Sequence, residues 1–102
     1  MQSVPDATVV ITNPTHIAVA LKYEENSGKA PIVVAKGADI LAMKIREIAK
    51  ENDIPIIENK PLARMIYKEV EVDEEVPKDM YEAVAQVLVA VYKIKNRYKK
   101  NR

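Results

Sequence analysis

The sequence predicts an α/β domain, with a small mixed sheet of about four strands surrounded by three to four helices. Three observations carry this expectation. β-Branched runs fill the first third of the chain and return near Ile54. Apolar residues at helical spacing take over from Ile40 onward. Strand-like and helix-like segments then alternate, and a length of 102 residues suits one such domain.

Taken in order, Ala7 to Thr12 is a β-branched run that reads as a buried strand, stopped by the turn dipeptide Asn13-Pro14. Ile17 to Tyr23 alternates in part and reads as a second strand. Glu24 to Lys29, containing Asn26-Ser27-Gly28, is a loop, and Pro31 to Ala35 is a third strand ended by Gly37. Asp39 is placed to cap a helix from about Ile40 to Asn52. Leu41, Ile45 and Ile48 form its expected apolar face, with Arg46, Glu47, Lys50 and Glu51 in solvent. Ile54 to Ile57 is a short strand. Asn59 is placed to cap a second helix that starts near Pro61 and runs through Leu62, Met65 and Ile66 to about Glu69. Pro77-Lys78-Asp79 opens the longest helix, whose apolar positions are Met80, Val84, Val87, Leu88, Val91 and Ile94.

Composition removes several function classes. There is no cysteine, so disulfides, cysteine-held zinc and thiol catalysis are excluded. The single histidine excludes a multi-histidine metal site within one chain. A net charge of +1 argues against a dedicated nucleic-acid binder. The charge is nevertheless uneven: Lys93 to Arg102 carries only cations, whereas Glu69 to Glu75 is acidic. The basic end keeps anionic lipid or an acidic partner in view. No apolar run reaches the roughly 18 residues of a membrane span, and Met1 to Pro5 has neither region of a signal peptide, so a soluble segment is expected.

One stretch carries pointed chemistry: Asn13-Pro14-Thr15-His16, between two strand-like runs. Deamidation needs attack by the following backbone nitrogen on the asparagine side chain, and proline has no N–H to offer. The reverse attack remains. The Asn13 side-chain nitrogen strikes its own carbonyl carbon, a succinimide closes, and the Asn13–Pro14 bond breaks. An amide is a poor nucleophile, so the step needs aimed geometry, a weakened scissile amide and proton handling. His16 is the candidate for moving protons, with water as the alternative base. Thr15 either holds the turn or helps to stabilise the oxyanion. No cofactor or metal is required.

Val10 to His16, with Val19-Ala20-Leu21 downstream, resembles the signature of the FlhB/YscU family, the export-switch proteins of flagellar and virulence type III secretion. Pro31 to Gly37, Ile45 to Ala49, Pro61 to Arg64 with Tyr67, and Tyr81 to Leu88 are also similar to the family pattern, in the same order. The flagellar branch fits best. The resemblance implies that Asn-Pro-Thr-His is a self-cleavage motif, that the cut halves stay associated, and that cleavage switches the class of exported substrate. It implies residues 1–6 as a linker from a membrane region, residues 7–98 as the cleaving domain, and residues 99–102 as a basic tail. The full protein is then expected in the bacterial inner membrane, with this domain on its cytoplasmic face. The implied partners are the other large gate subunit, a ruler protein that controls hook length, the export ATPase complex and exported proteins, but no nucleic acid. Ala30, Pro31, Ala85 and Leu88 match an apolar patch that takes up early substrates.

Three rival functions compete with this reading. A module of the same fold with an inert turn would dock partners without cutting itself. A small protein binding nucleic acid or membrane would use Lys93 to Arg102. A hydrolase acting on other molecules would need a nucleophile beside a histidine and carboxylate, or a phosphate loop, and the sequence offers neither.

Overall fold

Val9, Val10, Ile11 and Thr12 are all β-branched, and they form most of an interior strand, β1 (Val9–Asn13), which is buried along its whole length. The computed structural model describes residues 3–100; Met1 and Gln2 of the expected linker, and Asn101 and Arg102 of the basic tail, lie outside the described residues. The other elements are β2 (Ile17–Lys22), β3 (Ile32–Ala38), α1 (Ile40–Glu51), β4 (Ile56–Glu58), α2 (Lys60–Glu69) and α3 (Tyr81–Lys100). The sheet order is β3-β2-β1-β4. β1 runs antiparallel to β2 and parallel to β4, and β2 runs antiparallel to β3, so the expected four-stranded mixed sheet is present.

Because strand side chains alternate, β1 feeds two cores. Val9 and Ile11 pack with Leu62 and Ile66 of α2 and Val84, Val87 and Val91 of α3. Val10 packs on the other face with Ala18, Ala20, Ala35 and the α1 residues Ala42, Ile45 and Ala49. The α1 face is built from small side chains, so that helix lies close to the sheet. Gly37 shows how close: a Cβ there would sit 2.6 Å from Leu41 Cβ. Gly37 therefore does not end the third strand, as its reputation as a breaker suggested; β3 runs through it to Ala38.

Other boundaries also differ from expectation. Ile45 belongs to two apolar helical sets, and α1 buries Ala42, Ile45 and Ala49 while leaving Leu41 48% exposed. The small set wins because the sheet beneath it is lined with alanine. Asp39 precedes α1 but makes no side-chain cap. Asn59 does cap α2, its Oδ1 accepting from the Leu62 N–H at 3.2 Å. Met65 and Ile94 are exposed rather than core. Val4–Asp6, expected as linker, form a 3₁₀ turn, and Val4 is fully buried in the α1-side core. The acidic stretch after α2 covers part of the outer edge of β3: Glu74 C=O accepts from Val33 N–H at 3.0 Å, and Val76 N–H donates to Pro31 C=O at 2.8 Å.

Candidate functional site

Asn13-Pro14-Thr15-His16 forms the connection between β1 and β2. The ladder closes on the pair Asn13 and Ile17, leaving Pro14, Thr15 and His16 as the loop. The His16 N–H donates to the Asn13 carbonyl oxygen at 2.8 Å, which makes the four residues a closed turn. This is the carbonyl whose carbon the Asn13 side chain would attack. Its oxygen thus already holds a hydrogen-bond donor where negative charge would develop.

Burial divides the turn. Asn13 is 7% exposed and Pro14 half-buried, while Thr15 and His16 project into solvent. Anchors come from three elements. On the upstream side, Thr12 C=O accepts from Asn59 N–H at 3.0 Å, just beyond β4. On the downstream side, His16 C=O accepts from Asp39 N–H at 2.9 Å, and the Arg46 guanidinium of α1 donates to Pro14 C=O. Arg46 is half-buried, not in solvent as its helical position suggested. His16 Nδ1 lies 3.7 Å from Asp39 Oδ1, with the two side chains 72% and 79% exposed, so this pair is weak. Asp39 takes φ 51°, a left-handed conformation that is strained for a residue other than glycine.

The second group of candidate residues also comes together. Ala30, Pro31, Ala85 and Leu88 line one cavity of about 350 Å³, walled by Tyr23, Tyr81 and Val84. It lies between the β2–β3 loop and the first turns of α3, and shares no lining residue with the turn. Arg46, Asp39, Tyr23 and Tyr81 were not among the site residues expected from sequence, where Asp39 was read as a helix cap and Arg46 as a solvent position. Arg46 and Asp39 meet partners more than twenty residues away, and Tyr23 and Tyr81 wall a cavity built from two distant stretches of chain, so no local pattern marks these roles. Among the described residues, no group of three His, Cys, Asp or Glu side chains is placed to hold a metal, and no helix is long and apolar enough to cross a membrane.

Comparison with known proteins agrees with this fold. The flagellar biosynthetic protein FlhB of Bacillus subtilis is 55% identical over 97 residues, covering 95% of this chain and 27% of that protein. The Helicobacter pylori FlhB is 50% identical over 102 residues, covering all of this chain and 28% of that protein. This chain thus spans about a quarter of the length of these curated relatives. The crystal structure of the FlhB cytoplasmic domain from Shewanella putrefaciens superposes with a TM-score of 0.90 at 44% identity, covering 99% of this chain and 77% of that one. An EscU C-terminal domain with an asparagine-to-alanine mutation gives 0.84 at 36% identity, covering 88% of this chain and 90% of that one. The model of the FlhB HrpN YscU SpaS family matches residues 1–91, and the chain belongs to that family.

Proposed function

We propose that this domain cuts itself once, between Asn13 and Pro14, and that it serves as the switch and docking domain of a bacterial flagellar or type III export apparatus. The observation that carries the reading is the closed turn, in which the Asn13 carbonyl oxygen holds the His16 N–H at 2.8 Å between two registered strands.

The chemistry balances without an outside reagent until the last step. Asn13 Nδ2 forms a bond to the Asn13 carbonyl carbon and gives up a proton to His16 or water. The oxyanion shares the His16 N–H. The C–N bond to Pro14 breaks, the proline nitrogen takes a proton, and a secondary amine leaves. Asn13 remains as a C-terminal succinimide, which water then opens. The event is a single turnover in cis, not the action of an enzyme on a separate substrate.

The cut places β1 on one fragment and β2, β3 and β4 on the other. β1 pairs with β2 along its whole length and with β4 at Val10, Ile11 and Thr12, and it divides both cores. Losing it would expose both apolar faces, so the fragments stay together. The cavity at Ala30, Pro31, Ala85 and Leu88 suits an apolar side chain of an exported protein. The FlhB relatives support the flagellar branch; a place at the cytoplasmic face of the inner membrane, and the gate, ruler and ATPase proteins as partners, belong to the same proposal.

Size-exclusion chromatography followed by denaturing mass measurement tests the pairing. The expected result is one native peak that separates into residues 1–13 and 14–102 in denaturant. A native peak lacking residues 1–13 contradicts the paired-fragment account, and an uncut chain leaves a docking module with an inert turn.

A further inference from the structure

The turn is held from two sides that meet at the scissile bond. Asn13 is fixed by the sheet through its pairing with Ile17 and through the Thr12–Asn59 bond on the far side of β1. Pro14 cannot be fixed that way. It has no N–H to enter a ladder, so its carbonyl is its only backbone hydrogen-bonding group. That carbonyl accepts from Arg46, which reaches it across 32 residues from the second turn of α1. Two residues on, His16 C=O is held by the N–H of Asp39, the strained residue directly before α1. The loop carbonyls downstream of the bond, those of Pro14 and His16, are therefore held by α1 and the residue that precedes it, while the strand upstream is held by the sheet.

We propose that Arg46 is a positioning residue for self-cleavage, an inference that rests on the function proposed above. Attack requires the Asn13 side-chain nitrogen to meet its own carbonyl carbon at a narrow angle, with the bond to Pro14 turned so that its nitrogen can depart. Rotation about that segment is set by where the two anchors hold it. Arg46 fixes the Pro14 carbonyl and hence the peptide plane that follows, so the turn spends more time in the reactive arrangement. A cation bonded to this carbonyl also draws electron density from the adjoining proline, which makes its nitrogen a better leaving group. Arginine is a costly residue to half-bury on a helix facing alanines unless its donors are used. The small residues Ala18, Ala20, Ala35 and Gly37 bring α1 near enough for the contact.

The test compares cleavage rates of freshly refolded wild type, Arg46→Ala and Arg46→Lys by intact mass against time. Thermal unfolding of each Arg46 variant is measured in the Asn13→Ala background, which keeps the chain whole. Arg46→Ala is expected to cut about tenfold more slowly or worse. Arg46→Lys, which keeps a donor and the charge, recovers much of the rate. Both fold with melting points close to that of the parent. If Arg46→Ala does not fold, Arg46→Gln takes its place, keeping the reach without the charge. A neutral variant that folds and cuts at the wild-type rate overturns the proposal, as does a lysine variant no faster than alanine. A wild type that never cuts overturns the self-cleavage reading and this one with it, whereas a wild type that cuts beside an equally fast Arg46→Ala overturns this one alone.

Discussion

β2 joins two regions of opposite character. Its first residue, Ile17, closes the Asn13–His16 turn, and Tyr23, just past its last residue, walls the apolar cavity. Six residues of strand place them about 20 Å apart. The turn is organised by hydrogen bonds to its own carbonyls, from the Asn59 and Asp39 N–H groups and the Arg46 guanidinium, and its proposed chemistry joins the Asn13 side chain to its own main chain. The cavity is organised by side chains and offers shape and apolar surface. A single strand therefore keeps the proposed reaction site and the proposed recognition surface at fixed separation with no shared residue. Either can be damaged without the other, and this is the claim to press.

The largest effect is expected at Gly37. An added methyl meets Leu41 Cβ at 2.6 Å and its carbonyl carbon at 3.2 Å, so α1 must move off the sheet. Gly37→Ala should cost about 1–3 kcal/mol in urea unfolding. It should slow cleavage, because α1 carries Arg46, and leave peptide uptake at the cavity intact. Equal loss at both ends would show that the two regions are coupled through the sheet. Next is Ala85→Asp, which sets a charge on the exposed rim of the cavity. Binding of a fluorescent peptide from an early exported substrate should weaken about tenfold, with the cleavage half-life unchanged. Unaltered binding would move the docking surface elsewhere.

Asn59→Ala removes the α2 cap and should cost about 1 kcal/mol. The Asn59 N–H to Thr12 survives, so the cleavage rate should hold; a marked slowing would mean that the side chain also steadies the turn. The smallest effect lies near the cavity's polar neighbour, lined by Tyr23, Glu25 and Tyr92. Burial first, then the Glu25 carboxylate, pushes the Tyr92 hydroxyl up from 10.0 to about 12. The native state then keeps a proton that the unfolded chain releases, so stability falls as pH rises from about 10 to about 12. Tyr92→Phe should flatten that decline without changing cleavage at neutral pH, and an unchanged slope would assign the decline to other groups.

How much of this was legible depends on how local the cause is. The turn could be read because the proposed nucleophile, the proposed scissile bond and the histidine fall within four consecutive residues. The strands could be read because β-branched residues crowd a strand buried on both faces. Gly37 misled because a glycine allowing close approach looks, in one dimension, like a breaker. Leu41 misled because Ile45 shares a helical face with either Leu41 and Ile48 or Ala42 and Ala49, and only the alanine-lined sheet decides between them. The contacts of Arg46 and Asp39 with the turn left no trace, since their partners are Pro14 and His16, more than twenty residues away. Ala30, Pro31, Ala85 and Leu88 lie too far apart for any periodicity to join them, and only family resemblance placed them in one patch.

The most direct test is intact-mass spectrometry of the denatured domain beside its Asn13→Ala variant after incubation near neutral pH. The account predicts two masses from the wild type, ending at Asn13 and beginning at Pro14, and one uncut mass from the variant. A wild type that stays whole, or a variant that is cut at the same bond, contradicts it.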